Sequence, residues 1–305
     1  MDYTSVLYPL GYPLELTTNS PDVLRTARES WDQYTQLFSA DSIRLHICVG
    51  TQKHISKKGS AAYEWANNIL KISSADGSMA TCHMADGYGS AMLTTAAIEN
   101  TDWLRNFFIE TMAYCILDAV AFTPVHCACV SLEGRGVLLA GDSGAGKSSL
   151  AYACARRGWT YVSDDASHIV RGRKLVTGLH RQIRFREAAL NLFPELSRFP
   201  VKMRLNGKMG MEIRTADLKE IHTTGQTGVH AIVFLNRGGG EAQLRPFPNE
   251  HVPERLTSLL TFTDGEILKS QRDSLRDLVS LNAFELRYED CDPAVDELSR
   301  MVQGI

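Results

Sequence analysis

The residues that could do chemistry lie in one short segment near the middle of the 305-residue chain. The stretch from Gly141 to Ser148 is GDSGAGKS, which satisfies the pattern GxxxxGK[ST]. Glycines in this pattern allow positive φ angles and bring main-chain N–H groups close to phosphate oxygens. An apolar run, GVLLA, precedes the loop, and a segment compatible with a helix follows it. Because strand, loop and helix are the context that the motif requires, the sequence predicts a phosphate-binding loop.

Within this loop, position assigns a role to each polar side chain. Lys147 is placed to reach the β and γ phosphates of a nucleotide, and the Ser148 hydroxyl is placed to hold Mg²⁺. The helix that begins there directs the positive end of its dipole at the same anion. We therefore predict a site for a nucleotide with Mg²⁺. The predicted nucleotide contacts are Gly141, Asp142, Ser143, Gly144, Ala145, Gly146, Lys147, Ser148 and Ser149.

Two adjacent acids, Asp164 and Asp165, end the next apolar run, WTYVSDD. In open α/β sheets ligands gather at the carboxyl ends of strands, where a carboxylate can hold Mg²⁺ or accept a proton from an attacking hydroxyl. One acid can serve the metal and the other the nucleophile, or both can be turn residues on a solvated loop. His126 stands 15 residues before Gly141, at the start of a predicted strand. Residue type alone leaves its role open, since a lone histidine there is usually structural.

The apolar pattern predicts the elements that must position these residues. VHCACVSL, GVLLA, WTYVSDD and GVHAIVFLNR are predicted strands, with a hairpin at HIVRGRKLVTGL and a short helix over 186–196. Before them we expect a helix from Ser20 to about Leu37, a strand at IRLHICVG, a hairpin between 69 and 84, and a helix over 103–122 that Pro124 ends. The predicted fold class is α/β. The predicted domains are 1–123, a smaller α+β unit for substrate recognition or assembly, and 124–305, which binds the nucleotide.

Composition and charge restrict the classes of function. The net charge of −3 lacks the basic excess that is typical of nucleic-acid binders. No basic region precedes an apolar run at the N-terminus, so no signal peptide is predicted, and three charged residues between 103 and 122 argue against a membrane span. The seven cysteines include no CxxC pair, which fits a reducing compartment. We therefore predict a cytoplasmic protein with neither a nucleic-acid nor a membrane partner.

The segment from Val125 to Asp165 resembles the core of the HPr kinase/phosphorylases. It carries His126, the GDSGAGKS loop, Arg157-Gly158 after the loop helix, and an aspartate pair that begins 17 residues after Lys147, in the order that the family has. The resemblance implies an HPr kinase-like catalytic domain with the nucleotide-binding fold of the ATP-type phosphoenolpyruvate carboxykinases. It also implies ATP and Mg²⁺ as cofactors and a kinase that phosphorylates serine.

The same resemblance implies roles for individual residues. Asp165 would accept the proton of the substrate serine, Asp164 would lie at the metal with Ser148, and His126 would lie beside the transferred phosphoryl group. The predicted catalytic residues are thus Asp165, His126 and Lys147, and the predicted metal ligands are Ser148 and Asp164. The implied partner is a protein or peptide that carries a serine. The ring assemblies of the family also make a homo-oligomer an expectation.

Other functions stay open from the sequence. A GTP-binding switch would need an NKxD-like segment, and the nearest stretch, LNRG at 235–238, lacks the acid. A nucleotide-sensing module without catalysis, or a small-molecule kinase, could use the same loop. Arg181, Arg184 and Arg186 are either cations that steady the phosphoryl group or a solvated basic face. Asp165→Asn separates the alternatives, because a sensor could tolerate it and a kinase should lose turnover.

Overall fold

The computed structural model describes residues 2–50, 61–203, 207–219, 221–257 and 265–304. The chain divides into two compact units, of which the first takes in residues 1–122 with 262–268 and the second residues 123–261 with 269–305. Each unit combines helices with sheet, so the predicted α/β class is confirmed. The carboxykinase-type fold and the roles of the two domains stay predictions.

The first unit is built on a mixed sheet. Its strands are β1 Tyr3–Leu7, β2 Leu14–Thr18, β3 Ile43–Val49, β4 Ala62–Ala66, β5 Ile69–Ser73, β6 Met79–His83 and β7 Tyr88–Leu93. Among the described residues they follow the order β1-β2-β3-β7-β6-β5-β4, in which β3 runs parallel to both β2 and β7. The predicted hairpin between 69 and 84 is confirmed as the antiparallel pair β5–β6, whereas β1 and β2 were not predicted from the sequence.

The helices of the first unit correct one predicted boundary. They are α1 Pro21–Trp31, α2 Thr95–Glu99, α3 Thr101–Trp103, a π-helical turn Leu104–Ile109 and α4 Glu110–Val120. Ser20 caps α1 as predicted, because its side chain accepts a hydrogen bond from the Val23 N–H. The helix ends at Trp31 and not near Leu37, whose N–H donates to the Gly11 carbonyl at 2.8 Å instead of continuing the helix.

The second unit contains the larger set of strands. They are β8 Phe122–Val125, β9 Cys127–Leu132, β10 Arg135–Ala140, β11 Thr160–Ser163, β12 Ser167–Val170, β13 Leu175–Gly178, β14 Gln182–Arg186, β15 Lys202–Met203, β16 Met209–Arg214, β17 His222–Thr223, β18 Gln226–Arg237, β19 Gln243–Pro246 and β20 Asn282–Tyr288. Within the described chain the main sheet has the order β17-β11-β9-β10-β18-β13-β12-β8, with β20 beside β18 and β19 beside β20, and β14-β16-β15 form a smaller sheet.

Helices and short turns connect these strands. The α-helices are α5 Lys147–Arg156, α6 Val252–Thr257, α7 Gly265–Arg276 and α8 Cys291–Gly304. The short helix predicted over 186–196 is instead two 3-10 turns, Glu187–Asn191 and Pro194–Arg198. The cause is Pro194, which has no N–H to donate and disfavours helical geometry at Phe193. Pro124 does not end a helix as predicted, because α4 already stops at Val120 and Pro124 lies within β8 at the end of the sheet order.

The register of the main sheet gathers several strand ends at one edge. β10, β18 and β20 run parallel, with Ala140 opposite Phe234 and Arg237 opposite Tyr288. β9 lies between β10 and β11 and is antiparallel to both, so that Cys127 is opposite Ala140. The carboxyl ends of β10, β11, β18 and β20 therefore meet the amino end of β9, which is the edge at which open α/β sheets bind ligands.

Burial on both faces holds β10 in place beneath the loop that follows it. Val137 and Leu139 belong to a buried cluster that includes Leu150 of α5 and Trp159. Leu138 and Ala140 belong to a second buried cluster on the opposite face. This arrangement explains the wholly apolar run GVLLA, since a strand covered on both faces needs no polar alternation. The loop after β10 thus starts from a rigid position.

Candidate active site at the carboxyl edge of the sheet

The predicted phosphate loop joins β10 to α5, with residues 141–146 between Ala140 and Lys147. Gly144 and Gly146 have φ angles of 99° and 93°, which side chains with a Cβ rarely adopt. The Tyr288 hydroxyl donates to the Ala145 carbonyl at 2.8 Å. A Cβ on Gly146 would collide with that same hydroxyl. The end of β20 therefore fixes the part of the loop from which α5 starts.

The Lys147 ammonium group lies inside the loop. Its side chain is only 6% exposed, and Nζ donates to the main-chain oxygens of Gly141 at 2.7 Å and Asp142 at 3.2 Å. Burial lowers the pKa of Lys147, the Asp165 carboxylate raises it, and the Arg186 guanidinium lowers it further. The lysine is thus anchored at the start of the loop and is in the electric field of both an acid and a second cation.

His126 and Asp165 form a pair. The imidazole Nδ1 lies 3.2 Å from Asp165 Oδ1, and both side chains are partly exposed. His126 directly precedes β9, and Asp165 is the second residue after β11, so the antiparallel register of these neighbouring strands brings the two together. The pair combines a proton acceptor with a group that can orient it.

Asp164 faces the interior, in contrast to its neighbour. It is 5% exposed, Oδ2 accepts a hydrogen bond from the Arg184 N–H at 2.8 Å, and the Tyr161 hydroxyl lies 3.2 Å from Oδ1. Burial raises the pKa of Asp164 to about 6. Ser148 Oγ donates to the Asp164 main-chain oxygen at 3.4 Å. The two predicted metal ligands are therefore adjacent, and both carry the hard oxygen atoms that Mg²⁺ prefers.

A cavity of about 490 Å³ connects these groups. It is lined by His126, Ser143, Gly144, Gly146, Lys147, Ser148, Ser149, Asp164, Asp165, Arg184, Phe185, Arg186, Ala188, Ala189, Asn191, Leu192, Lys208, Met209 and Arg237. The lining carries more basic than acidic side chains, and it includes Ser143, Gly144 and Gly146 of the loop. Such an arrangement suits a ligand with several negative charges. The loop, the lysine and the aspartate pair were all predicted from the sequence, and the structure brings them to one cavity.

The three arginines that the sequence offered as cations have different surroundings. Arg184 Nε lies 3.2 Å from Glu212 Oε2 on the neighbouring strand β16. Arg186 Nη2 donates to Ser143 Oγ in the phosphate loop at 2.7 Å. Arg181 is not among the described residues that line the cavity. Of the three, Arg186 is the one in contact with the loop.

Sequence reasoning missed Tyr288 and Arg237. Arg237 is the last residue of β18 and Tyr288 is the last of β20, so both lie at the edge that carries the loop. Arg237 ends the predicted strand GVHAIVFLNR, and the parallel pairing of β10, β18 and β20 was the information needed to place both residues. Lys208 directly precedes β16 and lies in the basic stretch 202–210, which the sequence leaves open as a loop that faces the substrate or as an ordinary surface loop.

Two other features are absent from the described part of the chain. No group of three or more His, Cys, Asp and Glu side chains is placed there to hold a metal ion. No helix in the same residues is long and apolar enough to cross a membrane.

Comparisons with known proteins gave a family-model match and matches to solved structures. Residues 119–186 match the family model of the HPr Serine kinase C-terminal domain. That segment contains His126, the phosphate loop, the aspartate pair and Arg186. A solved structure, the Hpr(Ser) kinase/phosphatase from Coxiella burnetii, matches with 13% identity and a TM-score of 0.31, over 60% of this chain and 99% of its own. No curated protein sequence matches the chain. The predicted resemblance to the HPr kinase family is therefore confirmed, and it is carried by residues 119–186.

Proposed function

We propose that this protein is an ATP- and Mg²⁺-dependent kinase that transfers the γ-phosphoryl group to a serine hydroxyl of a protein or peptide. One observation carries the proposal: the His126–Asp165 pair and the buried Lys147 line the same cavity as the phosphate loop. A loop that only sensed a nucleotide would not need a proton acceptor at the phosphate end. The similarity to the HPr serine kinase domain supports the same conclusion.

Phosphoryl transfer depends mainly on positioning and on charge stabilisation, so few groups suffice. The amides of residues 143–146 and the Lys147 ammonium would hold the phosphates. Ser148 and Asp164 would hold Mg²⁺, which neutralises charge on the phosphates when it is bound. Their hydroxyl and carboxylate oxygens fit this ion, and their contact through the Asp164 main chain keeps them adjacent.

In the transfer itself, Asp165 takes the proton of the acceptor hydroxyl. The serine Oγ forms a bond to the γ phosphorus while the bond from that phosphorus to the β–γ bridging oxygen breaks, and ADP leaves with the electron pair. His126 keeps the Asp165 carboxylate directed into the cavity through its 3.2 Å contact. We propose the cytoplasm as the compartment and, by analogy with the family, a homo-oligomer as the assembly.

The experiment is incubation of the protein with γ-labelled ATP, Mg²⁺ and the proteins or peptides that are encoded beside its gene. We expect label on a serine of one of them and no label with Asp165→Asn. If the wild-type protein binds ATP but labels none of these acceptors, and a small-molecule extract also stays unlabelled, the kinase assignment fails in favour of a nucleotide sensor.

A further inference from the structure

Arg186 is the cation that contacts the phosphate loop at its centre. Its Nη2 donates to Ser143 Oγ at 2.7 Å, and Nη1 lies 3.8 Å from the position that a Cβ on Gly144 would occupy. Ser143 and Gly144 form the middle of the loop. Before them are the Gly141 and Asp142 carbonyls that accept from Lys147, and after them is the Ala145 carbonyl that accepts from Tyr288. The guanidinium therefore faces the space that the loop amides surround.

The charge of Arg186 is not neutralised by a carboxylate in the described part of the chain. Its neighbour Arg184 lies 3.2 Å from Glu212, and Arg214 of the same small sheet lies 2.9 Å from Asp217, but no such ion pair is present for Arg186. A guanidinium carries five N–H donors in a planar fork that matches phosphate oxygens. The contact with Ser143 uses one of them, which leaves a fork available at the loop.

A second cation lies close to the first. Lys147 Nζ donates to the Gly141 carbonyl at 2.7 Å, Arg186 Nη2 donates to Ser143 Oγ at 2.7 Å, and both side chains line the same cavity. Two like charges that converge on one loop repel each other until an anion lies between them. Asp165 lines this cavity together with Lys147 and Arg186, so an anion held by the two cations shares the cavity with the proposed proton acceptor.

Arg186 lies on a strand that is paired in a sheet and packed against α5. It is the last residue of β14 and pairs with Gly210 of β16. The preceding Phe185 is buried and packs edge-on against Tyr152 of α5, with ring centroids 5.2 Å apart. The arginine is thus anchored against the same helix whose first turn would bind the phosphates. Such anchoring reduces the reorganisation that a charge-stabilising group would otherwise need.

We propose that Arg186 is a catalytic residue that binds the γ-phosphoryl group as it moves from ADP to the acceptor, which is an arginine finger supplied by the chain itself. The inference rests on the proposed function. As the bond to the bridging oxygen breaks and the bond to serine Oγ forms, negative charge spreads over the three equatorial oxygens and the departing oxygen of ADP. The Arg186 fork donates hydrogen bonds to these oxygens, and the proton of the serine goes to Asp165.

The test compares the binding of ADP alone with that of ADP plus aluminium fluoride, which mimics the transferring phosphoryl group, by titration calorimetry. We expect Arg186→Ala to weaken the aluminium fluoride complex by about 100-fold or more, because one charged donor to a developing anion contributes about that factor. The same substitution should change the affinity for ADP alone by less than threefold. Arg186→Lys should recover only part of the loss, since an ammonium cannot form the planar fork. The matched control, Arg214→Ala, removes an exposed arginine of the same sheet and should change neither affinity.

Three results would overturn the inference: no loss of the aluminium fluoride complex in Arg186→Ala, an equal loss of ADP affinity, or an equal effect of Arg214→Ala. Thermal unfolding of each variant shows that the fold is retained.

The transfer assay separates this inference from the proposed function. If the wild-type protein transfers label and Arg186→Ala does so at the same rate, the role of Arg186 is wrong and the kinase stands. If aluminium fluoride binding depends on Arg186 while no acceptor is labelled, the contact stands and the kinase is wrong.

Discussion

His126 Nδ1 lies 3.2 Å from Asp165 Oδ1, at the edge where β9 begins and β11 ends. The contact is a product of sheet register, because the two strands are antiparallel neighbours in the sheet. It gives the exposed acid of the aspartate pair a fixed direction, while Asp164 is held in the interior by the Arg184 N–H. Asp165 is thus partly exposed and Asp164 is buried, which fits the proposed roles of Asp165 as the base and Asp164 as a metal ligand.

Replacing Asp165 tests the proposed base. We expect Asp165→Asn to keep its ATP affinity within a few-fold of the wild type, because the loop amides and Lys147 are untouched. Transfer should fall by about 10²–10⁴-fold, the usual contribution of general base catalysis. Calorimetry and label transfer measure the two quantities. Asp217→Asn, an exposed acid paired with Arg214, is the control. Transfer at the wild-type rate by Asp165→Asn would refute the role.

Replacing Lys147 tests the phosphate loop. We expect Lys147→Ala to abolish ATP binding in calorimetry, because the change removes the cation nearest the loop and two hydrogen bonds to the Gly141 and Asp142 carbonyls. Arg157→Ala provides the control, since that arginine follows α5 and pairs with Asp296 on the surface. An unchanged ATP affinity in Lys147→Ala would show that the nucleotide, if bound, lies elsewhere.

The hydrogen bond from Tyr288 of β20 to the phosphate loop should affect the binding of ATP. Tyr288→Phe removes the hydroxyl that donates to Ala145 and should cost about 1 kcal/mol of stability. We expect the KM for ATP to rise a few-fold with little change in kcat, because the hydroxyl orders the loop and touches no reacting atom. Tyr152→Phe on α5, whose hydroxyl lies 3.3 Å from Glu195 and not at the loop, should leave this KM unchanged. A fall in kcat alone for Tyr288→Phe would contradict the interpretation.

The buried Asp164 predicts a dependence of stability on pH. Burial raises its pKa from an ordinary value of 3.8 to about 6, so the folded state holds this proton more tightly than the unfolded state does. The stabilisation from that proton is present at low pH and is lost as the pH rises towards 6. Asp164→Asn removes the effect, and its free energy of unfolding should exceed that of the wild type at pH 8 by up to about 3 kcal/mol.

Denaturant titrations at pH 4 and pH 8 measure this difference. The stabilities of wild type and Asp164→Asn should converge at pH 4, where the carboxyl group is neutral in the folded state. Asp217→Asn, at an exposed acid, should show no such divergence. If Asp164→Asn is instead less stable than the wild type at pH 8, the folded protein prefers the charged carboxylate and the argument is wrong.

Much of the site could be predicted because its residues are local in sequence. The loop from Gly141 to Ser148 and the aspartate pair each follow an apolar strand, and such runs are informative when a strand is buried on both faces. The position of His126 also followed from a strand start. Which of the two acids is buried could not be predicted from their residue types, because it depends on hydrogen bonds from the Tyr161 hydroxyl and from the backbone N–H of Arg184.

The remaining parts of the site depend on pairings between distant segments. Tyr288 reaches the loop only because β20 runs parallel to β18, and Arg186 does so only because β14 packs against α5 through Phe185. The end of α1 at Trp31 depends on the contact between Leu37 and Gly11. The periodicity of apolar residues predicts one segment at a time, so it cannot predict contacts between distant segments.

The most direct test of the account is a crystal structure with Mg²⁺ and a non-hydrolysable ATP analogue, in which the distance from the γ phosphorus to the Asp165 carboxylate is measured. The account predicts a triphosphate bound by the amides of residues 143–146, with the γ phosphorus within about 6 Å of a carboxylate oxygen, so that one acceptor hydroxyl can touch both. A nucleotide bound with its γ phosphate directed away from Asp165, or bound outside the loop, would contradict the account.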